Sequence, residues 1–174
     1  MNLNVIESAW KAHTLFAEWL VGRVDPEVIV DLGVDLGYST FVFARYCSGH
    51  VYGIDLSDKI DEAEGYRKRL NLRNVTLLKM TFEEALKDWK ESIDILHIDG
   101  THDDVQSMKD FNDWSPFLSP RGVVLFHDTM SYDWGVGKTF KEIDWPKYEM
   151  RVEHGLGILS RDTELIEEIA KWNY

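Results

Sequence analysis

Two short stretches concentrate carboxylates and imidazoles: Leu96-His97-Ile98-Asp99-Gly100-Thr101-His102-Asp103-Asp104 and Phe126-His127-Asp128-Thr129. Each closes an apolar run of the kind that forms a buried strand. Ligands of parallel α/β sheets sit outside the carboxyl ends of the strands. On neighbouring strands, about 4.8 Å apart, Asp99 and Asp128 would face one cation from two sides. Without a cation the two carboxylates would repel, which favours a metal there. His102 stands on the same rim and suits either a metal ligand or a general base. Asp103 and Asp104 read as the start of a helix, and His97, alternating within its strand, as structural.

A second constellation lies earlier, in Asp31-Leu32-Gly33-Val34-Asp35-Leu36-Gly37-Tyr38-Ser39-Thr40. It follows the first strand and opens a helix. Its glycines permit a turn that a ligand can approach closely. It is not the dinucleotide fingerprint, since Asp35 stands where a glycine would, and it lacks the Lys-Ser/Thr ending of a phosphate loop. An acid at its start suits a ligand with a positive amino group. About one βα unit later, Asp55 ends the second strand, where an acid can accept both hydroxyls of a ribose. Leu56 is then placed to pack on an adenine face.

Positioning these groups requires a sheet. Short runs at Val28-Ile29-Val30, Val51 to Ile54, Val75 to Leu78, Ile93 to Ile98 and Val123 to Phe126 alternate with amphipathic stretches. That alternation predicts an α/β fold, a doubly wound and mostly parallel sheet with helices on both faces. Ile6, Ala9, Trp10, His13, Phe16 and Leu20 mark one helix face ahead of the first strand, stopping near Gly22. His13 on that face reads as a packed core histidine. Val105, Met108, Phe111 and Leu118 suggest a helix running to Pro120. After Phe126 the pattern predicts a helix over Gly135 to Ile143, strands at Tyr148 to Val152 and Gly157 to Ser160, and a last helix capped by Asp162. The late hairpin fits an antiparallel edge.

The composition narrows the function classes. The chain of 174 residues has 19 Lys+Arg and 31 Asp+Glu, a formal charge of −12. This length suits a single domain: an N-terminal helix over 1–26, a cofactor-binding half over 27–130, and a helix, hairpin and last helix over 131–174. The acidic surface disfavours nucleic acid. Arg67-Lys68-Arg69 reads as the solvated face of a helix. Cys47, the only cysteine, reads as buried and inert. No signal peptide or membrane-length apolar run is visible, so a cytoplasmic protein is expected. Gly135-Val136-Gly137-Lys138-Thr139 imitates a P-loop, but Tyr132 replaces its first glycine and no strand leads into it.

Taken in order, Gly37 to Thr40, Ile98 to His102, Trp114 to Gly122 and Phe126 to Thr129 resemble the class I S-adenosylmethionine-dependent methyltransferases, in particular their short small-molecule and sugar O-methyltransferase branch. The resemblance covers roughly residues 28 to 160. It implies a seven-stranded sheet of order 3-2-1-4-5-7-6 with strand seven antiparallel. It implies that Asp31, Gly33, Gly37, Tyr38, Ser39 and Asp99 surround the methionine part of S-adenosylmethionine, that Asp55 and Leu56 hold the adenosine, and that Thr81 and Phe82 form the turn at the adenine. Relatives carry Gly-Asp where this chain has Met80-Thr81. In the metal-dependent members a divalent ion sits where Asp99, His127 and Asp128 fall, and a histidine base where His102 stands; Asp99 and His102 are thus the candidate catalytic pair. His127 departs from the family's carboxylate or amide, and an imidazole favours manganese, iron or zinc over magnesium. As consecutive strand residues point oppositely, His127 could reach that ion only if the strand has ended. The expected activity is O-methylation of a small-molecule or sugar hydroxyl, in a protein that acts alone or as a homo-oligomer. Metal-independent N- or O-methylation, nucleotide-dependent redox chemistry and a non-catalytic binding module are the alternatives.

Overall fold

The computed structural model describes residues 3–131 and 135–172. Its seven strands are β1 (Val28–Leu32), β2 (His50–Ile54), β3 (Val75–Leu78), β4 (Ile93–Ile98), β5 (Leu118–His127), β6 (Lys147–Met150) and β7 (Leu156–Ser160). They form one sheet in the order β3-β2-β1-β4-β5-β7-β6. The pairs among β1 to β5 are parallel, and β7 runs antiparallel to both β5 and β6. This is the expected doubly wound order.

Helices α1 (Thr14–Val24), α2 (Tyr38–Tyr46), α3 (Lys59–Leu70) and α7 (Thr163–Lys171) pack their apolar residues on one face around Ile29, Val51 and Ile95. Helices α4 (Phe82–Lys87), α5 (Asp104–Trp114) and α6 (Val136–Glu142) cover the other, around Val30, Leu96 and Val124. Both faces of β1 are buried, which is why it reads as a continuous apolar run interrupted only by Asp31.

Several elements differ from their expected bounds. The N-terminal apolar face is a 3₁₀ helix over Ala9–His13 followed by α1, and α1 continues past Gly22 to Val24. Asp25 then adopts a left-handed conformation (φ 50°) and closes the helix on the Val21 carbonyl, with Pro26 following. Helix α5 stops at Trp114, so Leu118 opens β5 and is not part of a helical stripe; Val105 is 76% exposed. The period-3.6 pattern joined residues from two elements, because Ser115–Phe117 forms a 3₁₀ turn between them. Asp162 caps α7 as expected, its carboxylate accepting from the Leu165 N–H at 3.1 Å.

Candidate active site

Backbone register brings the strand ends together. Leu32 pairs with Ile98 and Ile98 with Phe126, so Gly33, Asp99 and His127 emerge side by side. The Asp99 N–H donates to the Leu32 carbonyl at 2.8 Å and the Gly33 N–H to the Ile54 carbonyl at 2.9 Å. Gly33 has φ +101°, and a Cβ there would lie 2.0 Å from the Asp99 carbonyl oxygen, so only glycine fits between the first and fourth strand ends.

Above these ends opens a cleft of about 720 Å³, within the range of small-ligand pockets. Gly33, Asp55, Leu56, Thr81 and Phe82 line it. Asp55 is oriented by the Asp35 N–H at 2.9 Å and the Ser57 N–H at 2.7 Å. Lys59, in α3, pairs with Asp35, and both also line the cleft. Thr81 caps α4 reciprocally with Glu84, which fixes the turn carrying Phe82. Leu56 is 62% exposed and lies open in the cleft.

The same cleft is lined by Asp99, His102, His127 and Asp128. His102 Nδ1 lies 3.3 Å from Asp128 Oδ2 and 3.8 Å from Asp99 Oδ1. His127 Nδ1 lies 3.2 Å from Asp128 Oδ2 and 3.4 Å from Asp99 Oδ1. Burial works against a charge on His127, but contacts with Asp128 and Asp99 outweigh it and raise its pKa to about 10. Burial likewise opposes charge on Asp99, and the neighbouring histidines, His127 first, hold its pKa below the ordinary carboxylate value. Beneath His127 sits His13, edge-on at 5.5 Å between ring centres, its pKa lowered to about 3 by burial and the adjoining histidines.

The set suited to a cation is Asp99, His102 and Asp128, one ligand atom of each lying within 4.8 Å of the others. Asp128 Oδ1 and His127 Nε2 are buried with no hydrogen-bond partner among the described residues. Two carboxylate oxygens and an imidazole nitrogen are a chemically fitting donor set for a divalent first-row ion. The histidine within that set is His102, which follows β4 in a left-handed conformation (φ 63°), while His127 Nδ1 lies within 3.4 Å of the same two aspartates.

Four residues expected around the cofactor do not reach the cleft wall. The Asp31 carboxylate is fully buried and accepts from Ser39 Oγ at 2.8 Å, Thr40 Oγ1 at 2.5 Å and His97 Nδ1 at 2.6 Å. Ser39 is thereby turned inward, Tyr38 hydrogen-bonds Thr14 Oγ1 at 3.0 Å, and Gly37 serves as the left-handed N-cap of α2. Conversely, Ser8, Ala9 and Trp10 line it, although the sequence marks Trp10 only as a core position. No local signal distinguishes the two roles, since the segment arrives by long-range packing. Of the stretch 131–137, residues 132–134 lie outside the described residues, and Val136 onward belongs to α6.

Residues 30–129 match the profile of a methyltransferase domain family. The chain belongs to that family, the class I S-adenosylmethionine-dependent methyltransferases. An uncharacterised protein of Sinorhizobium fredii is 34% identical over 94% of this methyltransferase chain. The chain spans about a fifth of that relative's length. Among solved structures, a Staphylococcus aureus protein provisionally named a caffeoyl-CoA O-methyltransferase superposes with TM-score 0.77 at 18% identity, over 91% of this chain and 87% of its own. A Bacillus cereus O-methyltransferase in complex with SAH gives TM-score 0.74 at 18% identity, over 86% and 81% of the two chains. These likenesses concern the fold. No helix among the described residues is long and apolar enough to cross a membrane.

Proposed function

We propose that this methyltransferase transfers the methyl group of S-adenosylmethionine to a hydroxyl oxygen of a small molecule or sugar. The observation that carries the reading is one cleft lined both by Gly33, Asp55, Leu56, Thr81 and Phe82 and by Asp99, His102 and Asp128. The first group offers a carboxylate for ribose hydroxyls and apolar surface for adenine. The second offers a base and a cation-binding set beside it.

The sulfonium is already activated, so the protein's task is alignment and a deprotonated acceptor; alignment contributes about 7–11 kcal/mol in favourable cases. His102 takes the acceptor's hydroxyl proton at a ring nitrogen. Asp128, 3.3 Å away, orients that ring. Asp99 and Asp128 would hold a divalent ion, with His102 or His127 completing the set. Such an ion, when bound, lowers the pKa of a coordinated hydroxyl. The residues equally support metal-free transfer, in which the protonated His127 balances the two carboxylates.

The deciding experiment is a melting series with S-adenosylmethionine and S-adenosylhomocysteine, each with EDTA, Mg²⁺ or Mn²⁺. Ligand at a hundred times its Kd should stabilise by about 2.7 kcal/mol. No shift with either cofactor form would reject the reading; a shift unaffected by metals or EDTA, with turnover equally unaffected, would select the metal-free version.

A further inference from the structure

A continuous hydrogen-bonded line joins the N-terminal segment to the first turn of α2. The Trp10 indole N–H donates to His97 Nε2 at 3.1 Å. As Nε2 accepts, Nδ1 carries the ring proton and donates to Asp31 Oδ1 at 2.6 Å. The other Asp31 oxygen accepts from Ser39 and Thr40 in the first turn of α2. Trp10 is 2% exposed, and His97 and Asp31 are fully buried. Asp31 and His97 are register partners on β1 and β4, so both face the helix layer that carries Trp10.

One end of this line borders the cleft, and the other is the first turn of α2. Ser8, Ala9 and Trp10 form part of the cleft wall, and α2 begins where the Gly33–Gly37 turn ends. Trp10 is also packed edge-on against His97 and against His13, which in turn abuts His127. The segment over Ala9–His13 is a single 3₁₀ stretch, a poor helix by itself, and its placement depends on such anchors.

We infer that Trp10, His97 and Asp31 are positioning residues, a buried relay that clamps the N-terminal segment over the cofactor crevice and so sets affinity for the S-adenosylmethionine side of the reaction. Asp31 acts here through α2 and the N-terminal segment, not by touching the ligand. The inference rests on the methyltransferase reading for its ligand, while the clamp itself can be measured without one.

The test compares Trp10→Phe, which keeps a packed ring but removes the indole N–H, with His97→Asn, which retains a donor toward Asp31 but loses the acceptor for Trp10. Hydrogen exchange over residues 3–13 should accelerate in both, with β1 and β4 amides unchanged. The Kd for S-adenosylhomocysteine should rise about tenfold in each, the scale of one lost buried hydrogen bond. The double variant should be no weaker than either single, since both cut the same link. Melting should fall by no more than about 5 °C. Unchanged exchange over residues 3–13, unchanged affinity in the singles, or additive losses in the double would overturn the relay. A wild-type protein that binds no S-adenosylhomocysteine would instead sink the functional reading, and the exchange comparison would still judge the clamp.

Discussion

His127 and Asp128 are consecutive, yet their side chains meet at one point, Nδ1 to Oδ2 at 3.2 Å. Neighbouring strand residues point to opposite faces. Here β5 ends at His127, and Asp128 turns into a left-handed conformation (φ 64°), its N–H taken by the Gly155 carbonyl at 3.0 Å. The strand's end thus meets the condition under which both residues can serve one centre.

That turn makes a testable distinction between charge and backbone. Asp128→Asn tolerates the left-handed conformation, so it should lose only the ion pair with His127 and any metal-induced shift. Asp128→Val should cost in addition about 1–3 kcal/mol of stability through backbone strain. Equal melting of the two variants would contradict the strain argument.

His102→Ala should lower turnover about 10²–10⁴-fold, the usual contribution of a general base, with S-adenosylhomocysteine affinity little changed. Calorimetry and initial rates separate the two quantities. A variant that turns over like wild type removes His102 from the mechanism.

Gly33→Ala should be among the most damaging single-methyl changes. Its new carbon would lie 2.0 Å from the Asp99 carbonyl, in a backbone conformation (φ +101°) that side chains disfavour. Strain and overpacking together should cost about 2–5 kcal/mol in chemical denaturation. The displaced Asp99 strand end should also lose cofactor binding.

Asp110, 2% exposed on α5, has its pKa raised from 3.8 to about 6 by burial, against the hydrogen bond from Gln106. A carboxyl raised in the folded state contributes stability that is fully present below the unfolded pKa and is lost as pH climbs through about 6. Asp110→Asn keeps an acceptor for Gln106 without the ionisation. It should be more stable than wild type by about 2–3 kcal/mol above pH 7, with the difference vanishing below about pH 4. Urea midpoints across that range give the answer, and a difference independent of pH would refute it.

Much of this molecule was legible in its residues. The alternation of short apolar runs with amphipathic stretches dictated a doubly wound sheet, because strands buried on both faces need apolar side chains at every position. The cleft-lining groups at strand ends, Asp55, Asp99, His102 and Asp128, announced themselves by type and by place after each run. Packing alone decided the rest. A strand residue must face one side or the other, but in a sheet covered on both faces the sequence carries no mark of which helix waits there. Hence Asp31 turns to His97 and the α2 hydroxyls. Equally, Trp10 reaches His97 across 87 positions, and His102 and His127 arrive from separate strand ends at the same pair of aspartates, Asp99 and Asp128. Those choices depend on contacts between residues far apart in the chain and on two left-handed turns, neither of which local spacing encodes.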